Sequence, residues 1–238
     1  MKIEVIEPHG LCAGVNAAIA KALKLKNVYC LHELVHNEIV IGELKDLGFR
    51  FVERIEDVPV GETVVFSAHG VSPAVRTTAK KRKLKVVDTT CPFVTKVHKA
   101  AKAFSERGLP VVILGDPKHV EVQGIAGELG EGEEIKVKSG GKVGVVSQTT
   151  MNADEVERQV AELRKKYDVE TMAEVCHATK ERQDAVKAFD GDALLVLGSA
   201  NSSNTRRLCE VARCRTFRAG TSEGERCFGL MVLGLYDD

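Results

Sequence analysis

Short apolar runs alternate along this chain with longer stretches of good helix formers. The runs at 3–6, 28–31, 63–67, 84–88, 111–114, 143–147, 168–172, 193–197 and 228–233 predict strands, with shorter pieces at 49–53, 135–138 and 216–218. Val111-Val112-Ile113-Leu114 lacks the polar alternation of a half-exposed strand and suits a parallel sheet buried on both faces. Helices are predicted at about 13–26, 36–47, 73–82, 92–106, from after Glu121 to about 129, to about 167 and 213, and at 179–189. Ser72 is placed to cap its helix ahead of Pro73, and Asn152 and Asp154 are both available to cap another.

This order of elements restarts twice. The units are 1–83, 84–167 and 168–238, and in each a strand runs into a cysteine that opens a helix: Cys12, Cys91 and Cys176. The repeat is one of strand order rather than residue identity. Alternating strands and helices imply an α/β fold of three pseudo-symmetric units with mostly parallel sheets. In such sheets the loops beyond the carboxyl ends of the strands form the binding crevice. Three units around one axis would bring the three cysteine loops together. Cys91 shows the device most clearly. Val86-Val87 leads through Asp88-Thr89-Thr90 to Cys91, and Pro92 suits the first helical position. The positive end of that helix would favour thiolate over thiol.

Composition narrows the function. Lys+Arg and Asp+Glu are both 34 in 238 residues, so the formal net charge is zero, against the basic excess of a nucleic-acid binder. The basic cluster at 80–85 closes a predicted helix and reads as a solvated helix end. No signal peptide and no run of 18 apolar residues is found, so a cytoplasmic protein with no membrane partner is expected. Seven cysteines in a reducing compartment point to ligands, catalysts or core residues rather than disulfides. Cys30 lies mid-strand and reads as core, while Cys209, Cys214 and Cys227 form at most a weak second metal set. No GxGxxG or GxxxxGK[ST] fingerprint is present.

Three convergent thiolates suit a metal site, and two chemistries stay open. Zinc takes four ligands in a structural site, or three plus water in a catalytic one. A [4Fe–4S] cluster normally takes four thiolates, so three would leave one iron open to a substrate oxygen. The other loop ends carry His36, His69, His119, Ser202, Ser203 and Asn204, which are donors for an anionic group. Glu121 is the carboxylate among them able to deliver protons, and Thr149 adds a hydroxyl. His9, His32, His98 and His177 flank the same loops without an assigned role.

The stretches PHGLCAGV (8–15), ELVHN (33–37), FSAHGVS (66–72), DTTCPFVTKVH (88–98), GDPKHVEVQG (115–124), VSQTT (146–150), CHATKERQDAV (176–186) and GSANSSN (198–204) resemble the 4-hydroxy-3-methylbut-2-enyl diphosphate reductases. The resemblance implies a trefoil of three α/β units around a [4Fe–4S] cluster held by Cys12, Cys91 and Cys176. It implies that His36, His69, His119, Ser202 and Asn204 hold the diphosphate, with Ser203 beside them. Glu121 would be the proton source, with Thr149 and His119 completing the catalytic set and Thr149 also contacting substrate. The implied reaction is a reductive dehydroxylation of an allylic diphosphate to isopentenyl and dimethylallyl diphosphate, with electrons from ferredoxin or flavodoxin. A monomer is expected.

The likeness runs to about residue 213. The family's segment resembling GVTAGAST, which supplies a further serine to the diphosphate, has no match in Gly229–Asp238. The expectation is therefore an altered end after about Gly220, a third unit without its last helix, and weaker substrate binding. Two rival readings are a zinc-dependent hydrolase of a phosphorylated substrate and a non-catalytic iron–sulfur sensor.

Overall fold

The computed structural model describes residues 2–130, 138–172, 174–219 and 231–236. The strand expected at 135–138 falls almost wholly outside these residues, and Cys227 lies outside them; of the segment expected to depart from the family after about Gly220, 231–236 is described and is a strand. The chain runs β1 (Lys2–Val5), α1 (Ala13–Ala22), β2 (Tyr29–Leu31), α2 (Glu38–Asp46), β3 (Arg50–Val52), β4 (Thr63–Phe66), α3 (Pro73–Lys81) and β5 (Lys85–Asp88). It continues with α4 (Pro92–Glu106), β6 (Val111–Leu114), α5 (Val120–Ala126), β7 (Lys142–Ser147), α6 (Ala153–Arg164) and β8 (Asp168–Met172). It closes with α7 (His177–Ala188), β9 (Ala193–Leu197), α8 (Ser203–Val211), β10 (Arg215–Ala219) and β11 (Met231–Tyr236).

The helix starts have local causes. Ser72 accepts from the Val75 amide, and Pro73 needs no partner at the first position. Asn152 accepts from the Asp154 and Glu155 amides and so fixes the start of α6. Asn37 caps α2, so that helix begins two residues later than the pattern predicts, and His36 stays in the loop. Helix α1 ends at Ala22 rather than near residue 26.

Three sheets result. The first has order β3-β2-β4-β5, all parallel, and the second β6-β7-β8, also parallel. The third has order β1-β11-β9-β10, where β9 and β10 are parallel and β11 runs antiparallel to both its neighbours. Sheet membership is offset from the repeat of strand order. The strand that leads to each cysteine is an edge strand of the preceding sheet: β5 in the first, β8 in the second and β1 in the third.

Strands β4 and β7 are covered on both faces. In β4, Val65 packs with Ala18 and Leu44, while Val64 and Phe66 pack on the opposite face with Ala79 and Ile55. In β7, Val143 and Val145 meet α6, and Val146 meets α4 and α5. In β9, Leu194 and Val196 pack against Val186 and Leu208. Ile3, Val5 and Phe217 of the third sheet are exposed.

Candidate functional site

Eight loops, each following the carboxyl end of a strand, open into one cavity of about 180 Å³. It is lined by Cys12, Cys91 and Cys176, by His36, His69 and His119, by Glu121 and Thr149, and by Ser202, Ser203 and Asn204. Every residue assigned to the site from the sequence thus lines the same space.

The three cysteines are the N-terminal caps of α1, α4 and α7. None spends its sulfur on a capping hydrogen bond, and all three are free thiols. The backbone holds two of the loops. The Cys91 amide donates to the Ala68 carbonyl at 3.0 Å, and the Cys176 amide donates to the Thr149 carbonyl at 2.9 Å. Asp88 shapes the approach to Cys91 by accepting from the Thr90 amide and hydroxyl while pairing with Arg76 at 2.6 Å. Gly14 leaves room for the sulfurs. A Cβ there would fall 2.6 Å from Cys91 Sγ and 3.9 Å from Cys12 Sγ. Thr179 Oγ1 lies 3.0 Å from Cys176 Sγ. Burial pushes the Cys176 thiol up, the Thr179 hydrogen bonds oppose this, and the fields of Cys12 and Cys91 add to it. Burial and like charges thus outweigh at Cys176 the helix-end preference for thiolate, and a bound metal would restore it. Uncapped sulfurs from three helix starts, with a glycine clearing the space between two of them, fit a thiolate-bound metal group.

Three imidazoles meet in the same cavity. His36 stacks on His69 with ring centroids 4.4 Å apart, and His119 meets both edge-on at 5.4 and 5.5 Å. Burial holds the His69 pKa well below the ordinary imidazole value, and the fields of His36 and His119 lower it further. Burial, with His36 and Arg206 adding and Asp116 opposing, lowers His119 to about 4. Glu33 sits 3.2 Å from His36 Nδ1, which leaves His36 Nε2 buried and unpartnered. Asn204 Oδ1 is likewise buried without a partner. Such groups cost free energy unless a ligand engages them. Ser202 caps α8 by accepting from the Thr205 amide, and the first residues of that helix line the cavity.

Glu121 is 2% exposed. It accepts from the Thr149 amide at 2.6 Å and pairs with the Thr149 hydroxyl at 3.1 Å. Burial pushes its pKa up to about 7 against these two hydrogen bonds, so a carboxyl in this setting could give or take a proton near neutral pH.

The family model described as "LytB protein" matches residues 3–223. The chain belongs to the LytB family. Among LytB-family relatives, the 4-hydroxy-3-methylbut-2-enyl diphosphate reductase of Acidothermus cellulolyticus is 42% identical over 231 residues, covering 89% of this chain and 68% of that protein. The enzyme of the same name from Saccharophagus degradans is 41% identical over 241 residues, covering 91% of this chain and 78% of that protein. The structure of the E-1-hydroxy-2-methyl-but-2-enyl-4-diphosphate reductase from Plasmodium falciparum superposes with a TM-score of 0.80 at 32% identity, covering 90% of this chain and 74% of the other.

At this LytB-family site, Thr179 and Arg182 line the cavity and Gln148 adjoins the lining residue Thr149, and none of the three was assigned a role from the sequence. Gln148, 1% exposed, accepts from the Asp116 amide and donates to Thr150 and Ser203, bridging three loops. Thr179 meets Cys176, as above. Arg182 is buried and donates to the Ala178 carbonyl in the first turn of its own helix and to the Gly10 carbonyl in the loop before Cys12. A polar residue in the first turns of a helix that follows a site loop is the available signal, and solvated helices show it too. Of the unassigned histidines, His98 is a buried partner of Glu128 at 2.9 Å.

Proposed function

We propose that this chain catalyses reductive dehydroxylation of 4-hydroxy-3-methylbut-2-enyl diphosphate to isopentenyl and dimethylallyl diphosphate and water, taking up two electrons and two protons. The observation that carries the reading is the meeting of three uncapped thiols, an imidazole clamp and a buried neutral-range carboxyl in one cavity. Cys12, Cys91 and Cys176 would hold a [4Fe–4S] cluster, which when bound supplies electrons and an iron with an open coordination position. His36, His69 and His119 with Ser202, Ser203 and Asn204 would bind the diphosphate. That binding fixes the other end of the substrate toward the thiols. Imidazoles held neutral by burial would take up protons as the diphosphate enters, turning a weak polar clamp into charge-assisted bonds. Glu121, neutral below about pH 7, would give a proton toward the departing hydroxyl, relayed or positioned by the Thr149 hydroxyl. Electrons would come from ferredoxin or flavodoxin, and the working form would be a cytoplasmic monomer. No helix among the described residues is long and apolar enough to cross a membrane.

A zinc enzyme is the second reading, because the ligand atoms of His36, His69 and His119 all lie within 4.8 Å of one another. Anaerobic purification decides between them. Iron and acid-labile sulfide in stoichiometric amounts, with allylic diphosphate consumed on adding a reductant, are expected. Zinc without sulfide, or a loaded protein inert to the diphosphate under reduction, would overturn the proposal.

A further inference from the structure

Arg182 lies on α7, beyond Cys176, and lines the same cavity while only 7% exposed. Its Nη1 donates to the Ala178 carbonyl and its Nη2 to the Gly10 carbonyl, both at 2.8 Å. These acceptors stand two residues from Cys176 and two from Cys12. The Nε–H is buried and has no partner. Among the described residues no carboxylate oxygen lies within 4.0 Å of the guanidinium. A buried cation that meets carbonyl dipoles but no anion is strongly unfavourable. The loop of Cys12 also lacks the backbone tie that Cys91 and Cys176 have, since no backbone hydrogen bond from its amide to a neighbouring loop exists among the described residues. Arg182 Nη2 supplies that tie instead.

We infer that Arg182 is a positioning residue whose charge is matched by the thiolate-bound cluster, and that it joins the Cys12 and Cys176 loops around it. This rests on the iron–sulfur reading. A cluster core of two positive charges with three thiolates carries net negative charge, and reduction adds to it. A fixed cation beside it favours assembly and raises the reduction potential. The contacts to Gly10 and Ala178 place the guanidinium at the thiolate end of the cavity rather than among the diphosphate donors.

The test compares Arg182→Met and Arg182→Lys with the parent, each reconstituted anaerobically and also kept cluster-free. The cluster-free Arg182→Met protein is expected to melt no lower than the parent, because an unmatched buried charge has gone. After reconstitution and a chelator challenge it should retain roughly tenfold less iron, as follows when one partner of a buried charge pair is removed. Its remaining cluster should show a more negative reduction potential by spectroelectrochemistry. Arg182→Lys keeps the charge, so its potential should stay near the parent's even if iron retention falls. It also serves as the folded control if Arg182→Met does not fold. Parent-like potential and iron retention in Arg182→Met would overturn the inference, as would a potential in Arg182→Lys shifted as far as in a neutral variant. A variant that lost only inorganic pyrophosphate binding would overturn it too, by assigning the charge to the anion clamp. A parent without iron and sulfide would instead overturn the cluster reading itself.

Discussion

The acidity of Glu121 is set by where it is buried. In the unfolded chain its carboxyl ionises in the ordinary range, near 4.5, and in the fold near 7. Below 4.5 both states hold the proton, and no penalty arises. As the pH rises to 7 the unfolded state loses its proton first, so the fold is progressively destabilised, and above 7 the full penalty stands. Its size is on the order of 3 kcal/mol. Glu121→Gln should therefore raise the melting temperature at pH 8 while leaving it nearly unchanged at pH 4. It should also lower turnover by about 10²–10⁴-fold, the usual contribution of a positioned acid. A variant that melted lower at pH 8, or kept parental turnover, would contradict the assigned role. The imidazoles give the opposite pH signature in binding. His69 and His119 are neutral in the free protein at pH 7, and a diphosphate favours their charged forms. Calorimetry of pyrophosphate binding in buffers of different ionisation enthalpy should show net proton uptake, and affinity should rise as the pH falls from 8 to 6. Uptake of no proton would sink the clamp.

At the scale of the element, the helix starts serve two tasks, capping and clearing space, that substitution can separate. Asn152 only caps, and Asn152→Ala should cost about 1 kcal/mol, read as a lower melting temperature, with iron content unchanged. Gly14, in the first turn of α1, only clears space. A methyl group there would meet Cys91 Sγ, the end of a side chain that can turn away. Gly14→Ala should therefore fold with a melting temperature close to the parent's when cluster-free, but bind several-fold less iron because Cys91 is displaced from the shared centre. An iron content equal to the parent's would show that the sulfurs do not need that space. The elements themselves were legible in the sequence. Strands β6, β8 and β9 and helix α4 have the predicted bounds; continuous apolar runs in β6 and β9 and the Cys-Pro start of α4 leave little choice there. The ends of α1 and α2 differ because their caps depend on local hydrogen bonds that periodicity does not encode.

Across the whole molecule, the cysteines mark the passages from one sheet to the next. Cys91 follows the edge of the first sheet and opens the helix before β6 of the second. Cys176 leads from the second to β9 of the third, and Cys12 from the third to β2 of the first. A group bound by all three would tie the sheets to one another. Amide exchange measured with and without the reconstituted cluster should slow together at residues 10–16, 89–95 and 175–180. Protection confined to one of these loops would refute a shared centre.

By itself the sequence determined the alternation of strands and helices, the three cysteine starts and the polar residues at the other strand ends. Each of these rests on a local pattern: an apolar run, a cap, a residue type beside a turn. It did not determine which strand joins which sheet, since β5, β8 and β1 are equally good openings of the next unit when read along the chain. Hydrogen-bond pairing decided that, and it also placed β11 between β1 and β9, two strands far apart in sequence. The acidity of Glu121, the neutrality of His69 and His119, and the unmatched charge of Arg182 belong to the tertiary structure alone. Each follows from exclusion of water and from which neighbours fill the space, and neither is written in a residue's own stretch of chain.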